Sequence, residues 1–504
     1  MGLPEQIRRI ARRSDDDPAV CYAGIWWSTT QLSHAVRRID ALLREAGIGD
    51  GVPVGVYMRN RPGHVAALAA LLGFRRPLIV LSPLYPDDTV GADVRSLRPA
   101  AVLADGEDWD RASVREATAD IGALGLRIDL PADRIEVVSP RAEGSAVGEI
   151  APDVAILMLT SGTTGPPKRI PLRFNEIEHA LDSAQEHYVG KVGNGAKVRG
   201  GGVQIVSLPP VNISGLWALI TALTGAGRSV LTDRFEPVAW AELVAEHRPS
   251  SVSVPPAALR MLLDADVESD RLGSLKAVWA GAAPVGPELA AEFEQRFGCP
   301  VLLSYGATEF TGGITGWSLR DWNTWKSTKR GSVGRPHPGV QISVVDPDTD
   351  EPVETGQSGV LLVRSAQASG GREAGWVRTS DIGRVDEDGF VWIDGRSDDV
   401  INRGGFKVFP AELEHCLEEH PAVREAVVVG ITDERLGQVP AAAVVAREPV
   451  SDTELVAWVK SRLQSYKAPA RIQFVSEIPK NPAMKPLRGQ VRAMLAGDLA
   501  ANPT

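Results

Sequence analysis

The residues best able to do chemistry follow an apolar stretch. From Ile156 the chain reads ILMLTSGTTGPPKRIPL, which places Thr160, Ser161, Gly162, Thr163, Thr164 and Gly165 in one short segment, followed by Pro166, Pro167 and Lys168. Hydroxyls and glycine N–H groups in a single turn can surround phosphate oxygens, because glycine lets the backbone approach closely and threonine adds donors. Lys168 supplies a point charge. The segment is not a P-loop, since GxxxxGK[ST] does not fit and prolines stand where the helix should begin. Read alone, such a stretch is equally a surface turn. Further along, Thr308 and Glu309 in YGATE set a hydroxyl beside a carboxylate, a pairing that suits a hard cation bridging phosphates. Asp381 in TSDIG offers an ionised, acceptor-only carboxylate, although taken singly it reads as a turn aspartate before Gly383.

These groups need a scaffold, and the pattern supplies one. Short apolar runs (VPVGVYM, PLIVLS, AAVLA, VQIVSL, SSVSVP and LKAVWAG) alternate with helical segments, which predicts parallel sheets covered by helices. Between Gly331 and Asp394, turn-forming residues separate VQISVVD, GVLLVRS and GFVWIDG, which predicts a small antiparallel β-barrel or sheet. After Arg396 a polar run, SDDVINRGG, precedes a compact block in which helical and strand patterns mix. That block predicts a separate α+β domain of about a hundred residues, a common domain size.

At 504 residues the chain exceeds what one core usually holds. Hydrophobic residues make up 43% and charged residues 23%, which fits a globular chain with a large core. Its 54 basic and 64 acidic residues give a net charge of −10, which argues against nucleic acid as a partner and makes any phosphate site local. Cys21, Cys299 and Cys416 are scattered with no CxxC spacing, which suits a reducing, cytoplasmic location and argues against zinc. The opening MGLPEQIRRIARRSDDD lacks the apolar core of a secretory signal, and the apolar stretch from His64 to Phe74 falls short of the roughly 20 residues a bilayer requires.

The motifs together resemble the adenylate-forming superfamily of acyl-CoA synthetases, peptide-synthetase adenylation domains and beetle luciferases, whose signature is close to TSGTTGxPKG. GDGVPVGVYMRNRP, LRPAAVL, GAAPV, YGATE, RTSDIG, DGRSDD, GGFKVFPAELE and PKNPAMKPLR follow in that family's order, so the resemblance covers nearly the whole chain. It implies an α/β fold: a large N-terminal domain of two helix-covered mixed sheets plus a small β-barrel over residues 1–396, and a small mobile α+β domain over residues 397–504. The implied reaction activates a carboxylic acid with ATP and Mg2+ as acyl-AMP, then transfers it to coenzyme A. By this resemblance Thr160, Ser161, Gly162, Thr163, Thr164 and Lys168 hold phosphates, and Thr308 joins them. Glu309 ligates Mg2+. Gly281, Ala282 and Ala283 wall the adenine, with Tyr305 and Gly306 on its acyl side, while Asp381 and Arg396 take the ribose. Asp398 is the hinge. Lys485 reaches the reacting phosphate in one pose, and Gly404, Gly405 and Phe406 border the pantetheine tunnel in the other.

Some residues depart from the family pattern. Met484 stands where glycine usually precedes the catalytic lysine, Pro486 follows it, and Arg169 replaces the glycine after the loop lysine. Methionine is expected to resist glycine-only backbone angles, and Arg169 to add bulk and charge beside the phosphates. Either these changes are tolerated or adenylation is weakened, leaving an enzyme that turns supplied acyl-adenylate into thioester. Asn212 occupies the place of a histidine or aspartate, and a buried substrate ammonium would lack a counter-ion there, which disfavours α-amino acids. Small residues at Gly281, Ala282, Ala307, Gly312 and Gly313 suggest room for a bulky apolar, aryl or fatty acid. Other readings are an enzyme that loads a separate acyl carrier protein and a regulatory protein that keeps the nucleotide pocket without catalysis.

Overall fold

Val-, Ile- and Leu-rich runs buried on both faces form parallel strands, and Ala-rich helices cover them. The computed structural model describes residues 2–129, 134–160, 168–190, 202–225, 227–281, 283–369, 375–481 and 484–497. A seven-stranded sheet runs in the order Glu136–Ser139, Leu124–Arg127, Ala101–Ala104, Val54–Tyr57, Leu78–Leu81, Val154–Thr160 and Lys168–Arg173. Its five inner strands are parallel and both edges antiparallel. The helix Pro62–Gly73, buried at every residue, packs against it, because alanines and leucines all round a helix leave no polar face for solvent.

A five-stranded sheet begins with parallel strands Ser251–Val254, Ala277–Ala280 and Val301–Ala307 and continues antiparallel through Gly312–Gly316 and Arg335–Pro336. A four-stranded sheet joins Val203–Val206, Arg228–Leu231, Pro18–Tyr22 and Ile25–Ser28. Of barrel and sheet, the antiparallel piece takes the sheet form: a four-stranded meander of Gln341–Val345, Gly359–Arg364, Trp376–Val385 and Val391–Arg396.

The last unit has its own buried clusters, one around Leu413, Val428 and Val444 and one around Val429, Ala443 and Val491. Its sheet orders Phe406–Val408, Ile401–Arg403, Gly437–Ala446 and Val423–Asp433, with Arg471–Phe474 parallel to Gly437–Ala446, and helices Pro410–Glu418, Asp452–Arg462 and Arg488–Gly497 pack on it. Cys21, Cys299 and Cys416 are buried and unpaired, and burial raises all three thiols, Cys299 to about 12. Among the described residues no helix is long and apolar enough to cross a membrane.

Candidate active site

Ligands of open α/β sheets bind beyond the carboxyl ends of the strands. Thr160 ends one parallel strand, Gly281 follows another, and Tyr305, Gly306 and Ala307 end a third. Val301–Ala307 passes through a 3-10 turn, Thr308–Phe310, and returns as Gly312–Gly316, with Gly306 opposite Gly313 and Ala307 opposite Gly312. The return is tight enough that a Cβ on Gly306 would collide with the Gly312 carbonyl, and one on Gly281 would stand 2.6 Å from Ser304 Oγ. Glycine is the residue that fits at both places.

Two side chains hold this turn. Gln367, buried, donates from Nε2 to the carbonyls of Phe310 (2.8 Å) and Gly313 (3.0 Å), while its own carbonyl accepts from Thr311 Oγ1 at 2.9 Å. Ser369 donates its N–H to the Glu309 carbonyl at 2.7 Å, and its hydroxyl lies 2.6 Å from Pro171 O and 2.8 Å from Glu176 Oε2. The turn bearing Thr308 and Glu309 is thereby tied to the strand Lys168–Arg173.

Asp381 lies within the strand Trp376–Val385, where it pairs with Arg396 on the neighbouring strand, so its single-residue reading as a turn aspartate is corrected. Tyr305 Oη donates to Asp381 Oδ2 at 2.6 Å. Arg396 Nη2 donates to Ser380 Oγ at 2.5 Å and stands 3.4 Å from Asp398 Oδ2, whereas its Nε, 3.8 Å from Asp381 Oδ1, is buried without a hydrogen bond. Burial raises the Asp381 carboxyl, opposed by Tyr305, Arg396 and Lys485. Burial, helped by the Asp381 charge, pushes the Tyr305 phenol well above its usual range.

Lys485 arrives from the C-terminal unit. Burial, then the Arg396 charge, lowers its ammonium below the usual lysine range, while Asp381 and Glu309 oppose the shift. Its position is set by a short turn in which Met484 N–H donates to Asn481 O (2.8 Å), Lys485 N–H to Asn481 Oδ1 (3.0 Å) and Asn481 N–H to Lys485 O (2.9 Å). Met484 adopts φ +61°, so the resistance expected of methionine is overcome here. The turn's hydrogen bonds hold the left-handed shape at a strain of about 1–2 kcal/mol. Arg488, three residues on, grips Glu414 with two bonds (2.6 and 2.9 Å) and lies 3.6 Å from Asp399.

Arg169 has partners within the large unit. Neighbouring strand residues face opposite ways, and while Lys168 is exposed, the Arg169 guanidinium is half-buried and bonds to Asp93 and the Val80 carbonyl. Ser161, Gly162, Thr163, Thr164 and Ala282 lie outside the described residues, as does the side chain of Thr160. Ala283 is half-buried. Asn212 accepts the first helical bond of Ile213–Gly225, from Leu216 N–H at 3.0 Å. Asp398 is exposed. Gly404, Gly405 and Phe406 are exposed too, with Phe406 stacked on Tyr466 at 4.7 Å and Gly404 against Leu436, so they are not gathered with Lys485.

The small residues Gly312 and Gly313 are bordered by rings. Positions for a Cβ on Gly312 and Gly313 stand 3.7 Å from the Trp217 indole and 3.6 Å from His337 Cε1. His187 and Tyr188 complete this wall, His187 ring to ring with His337 at 4.4 Å and Tyr188 with Trp279 at 5.6 Å. Sequence reasoning missed these side chains, together with Gln367, Ser369 and Ser380.

Comparison with known proteins places the chain in a family. Residues 7–371 match the family described as AMP-binding enzyme, and residues 412–485 match the AMP-binding enzyme C-terminal domain. A 2-succinylbenzoate–CoA ligase of Bacillus pumilus is 29% identical, with 98% of each chain covered. A 4-coumarate–CoA ligase of Oryza sativa is 29% identical over 94% of this chain and 88% of its own. Among solved structures, the amide bond synthetase of Marinactinospora thermotolerans superposes with a TM-score of 0.83 at 27% identity, covering 98% of this chain and 100% of its own. The o-succinylbenzoate CoA synthetase of Bacillus subtilis, in complex with its acyl-adenylate intermediate, gives 0.79 at 25%, covering 97% and 98%.

Proposed function

Because this chain belongs to the AMP-binding enzyme family of the adenylate-forming superfamily, we propose that it is an acid–thiol ligase that converts a carboxylic acid, ATP and coenzyme A into acyl-CoA, AMP and pyrophosphate. The observation that carries this reading is the convergence of Lys485, from the C-terminal unit, on Glu309, Asp381 and Arg396 of the large one. Asp381 and Arg396 meet through sheet pairing, but Glu309 and Lys485 come from distant parts of the chain to join them, all half-buried.

In this reading a carboxylate oxygen attacks the α-phosphorus of ATP and the bond to the pyrophosphate oxygen breaks. Lys485 donates to the oxygens on which charge builds, a stabilisation strong in a site that excludes water. Asp381 accepts from the ribose hydroxyls, held in place by Tyr305, and the unpartnered Arg396 Nε adds a donor beside it. Glu309, with no ion pair among the described residues, and Thr308 fit a Mg2+ ion. That ion would neutralise phosphate charge. In the second half the thiol sulfur bonds to the acyl carbon, its proton is lost to solvent, and AMP leaves with the bonding electrons.

Asp398 is the proposed pivot between the units, by which the exposed Gly404–Phe406 turn would replace Lys485 at the site for thiol transfer. The placement of Lys485 despite Met484 favours a complete enzyme over one restricted to the second half-reaction. The proposed acid is aryl or otherwise bulky, in line with the substrates in the relatives' names. The likeness to an amide bond synthetase makes an amine a second acceptor worth testing. Pyrophosphate release from a panel of acids with ATP, beside coenzyme A consumption from the acids and from synthetic acyl-AMP, tests the proposal. Acid-dependent pyrophosphate release with stoichiometric thiol loss is expected, and its absence for every acid would overturn complete ligase activity.

A further inference from the structure

The wall behind Gly313 holds a polar atom without a partner. His337 is 2% exposed, and its Nδ1 is buried with no hydrogen bond among the described residues. Its Nε2 lies 3.3 Å from Tyr188 Oη, and this is the hydroxyl's one hydrogen bond among the described residues. The neighbouring His187 directs Nε2 at the Gly316 carbonyl, 2.8 Å away, and since a carbonyl only accepts, that nitrogen carries a proton. Burial beside His187 pushes His337 down to about 3, so its ring is neutral.

A neutral imidazole has one donor and one acceptor nitrogen. Either tautomer leaves one proton unplaced, on Tyr188 Oη or on His337 Nδ1; a phenol O–H is the stronger donor and an imidazole nitrogen the stronger acceptor, so the bond from Oη–H to Nε2 is the better of the two. Tyr188 therefore donates to Nε2, and the ring proton sits on Nδ1. The Cε1 edge, which separates the two nitrogens, is the part of the ring nearest Gly313, at 3.6 Å from the place of a Cβ that glycine lacks.

We propose that His337 is a specificity-determining residue of the acid-binding wall, presenting Nδ1–H to an uncharged acceptor oxygen, keto or ether, that the acid carries away from its reacting carboxylate. Tyr188 is a positioning residue that fixes the tautomer. A second carboxylate is disfavoured, because no lysine or arginine bonds to His187, Tyr188 or His337 among the described residues. The proposal rests on the ligase reading for the position of the acid.

The test compares two isosteric acids, 4-acetylcinnamate and 4-isopropenylcinnamate, each as its acyl-sulfamoyl adenosine. Binding to the full chain is measured by calorimetry, which needs no turnover. Wild type is expected to prefer the keto compound about tenfold or more, as one buried hydrogen bond allows. His337→Phe should abolish the preference and Tyr188→Phe should reduce it. Because each figure is a ratio within one protein preparation, the folded fraction cancels. Equal ratios in wild type and His337→Phe, or no preference in wild type, would overturn the proposal while leaving ligase activity standing. Failure of both compounds to bind would overturn both readings, whereas binding without pyrophosphate release in the acid panel would count against complete ligase activity alone.

Discussion

Lys485 has a measurable conflict between function and stability. Its ammonium is held below the usual lysine range by burial, so the unfolded chain binds that proton more tightly than the folded one. The resulting cost is present at neutral pH and is relieved as pH rises through the folded value. Lys485→Ala is therefore expected to lower pyrophosphate release by about a hundredfold or more without lowering Tm, and to spare thiol transfer from synthetic acyl-AMP. In the native enzyme, pyrophosphate release should decline on the alkaline side at a pH below the ordinary lysine value of about 10.4, and a pH profile to pH 10 reads this directly. Met484 yields a second outcome. Met484→Gly exchanges strain of about 1–2 kcal/mol for chain entropy of similar size, so chemical denaturation should register a change of under about 1 kcal/mol. Met484→Pro, with φ fixed on the negative side, should slow adenylation by an order of magnitude or more.

Among the elements, the hairpin around Thr308–Phe310 depends on close backbone approach. Gly306→Ala is expected to cost about 1–3 kcal/mol by overpacking against the Gly312 carbonyl, as a lowered denaturation midpoint together with a raised KM for ATP. The strands were legible in advance, since parallel strands announce themselves by apolar runs, and the strand ends bring Thr160, Gly281 and Tyr305 to one edge of the sheets. Asp381 was found by its motif, but its strand was not, because SDIG reads as a turn until its pairing with Arg396 is known. The direction of Arg169 depends on which strand face meets Asp93, a residue 76 positions away. Tyr188 and His337 stand 149 positions apart, and neither carries a local signal of the other.

At the scale of the whole molecule, Val400 and Phe409 pack on the buried Val345, Val360 and Ile382 in the pose that holds Lys485 in place, and ion pairs add to this contact. Arg424 pairs with Asp264 at 2.9 Å, His415 with Glu288 at 3.3 Å and Lys407 with Asp348 at 3.7 Å, all between solvent-exposed or partly exposed side chains. Such pairs contribute about 0–1 kcal/mol each and weaken with salt. Arg424→Ala, or the wild type in high salt, is expected to lower pyrophosphate release several-fold relative to thiol transfer from acyl-AMP, and an unchanged ratio would show that these pairs do not bias the pose. The buried cysteines affect how all of this is observed. With Cys21, Cys299 and Cys416 enclosed and their thiols raised, the folded protein should be silent to a thiol-reactive dye. Loss of colour from coenzyme A can then be followed continuously with no background from the enzyme itself, and a slow rise of protein signal in the same cuvette would report unfolding.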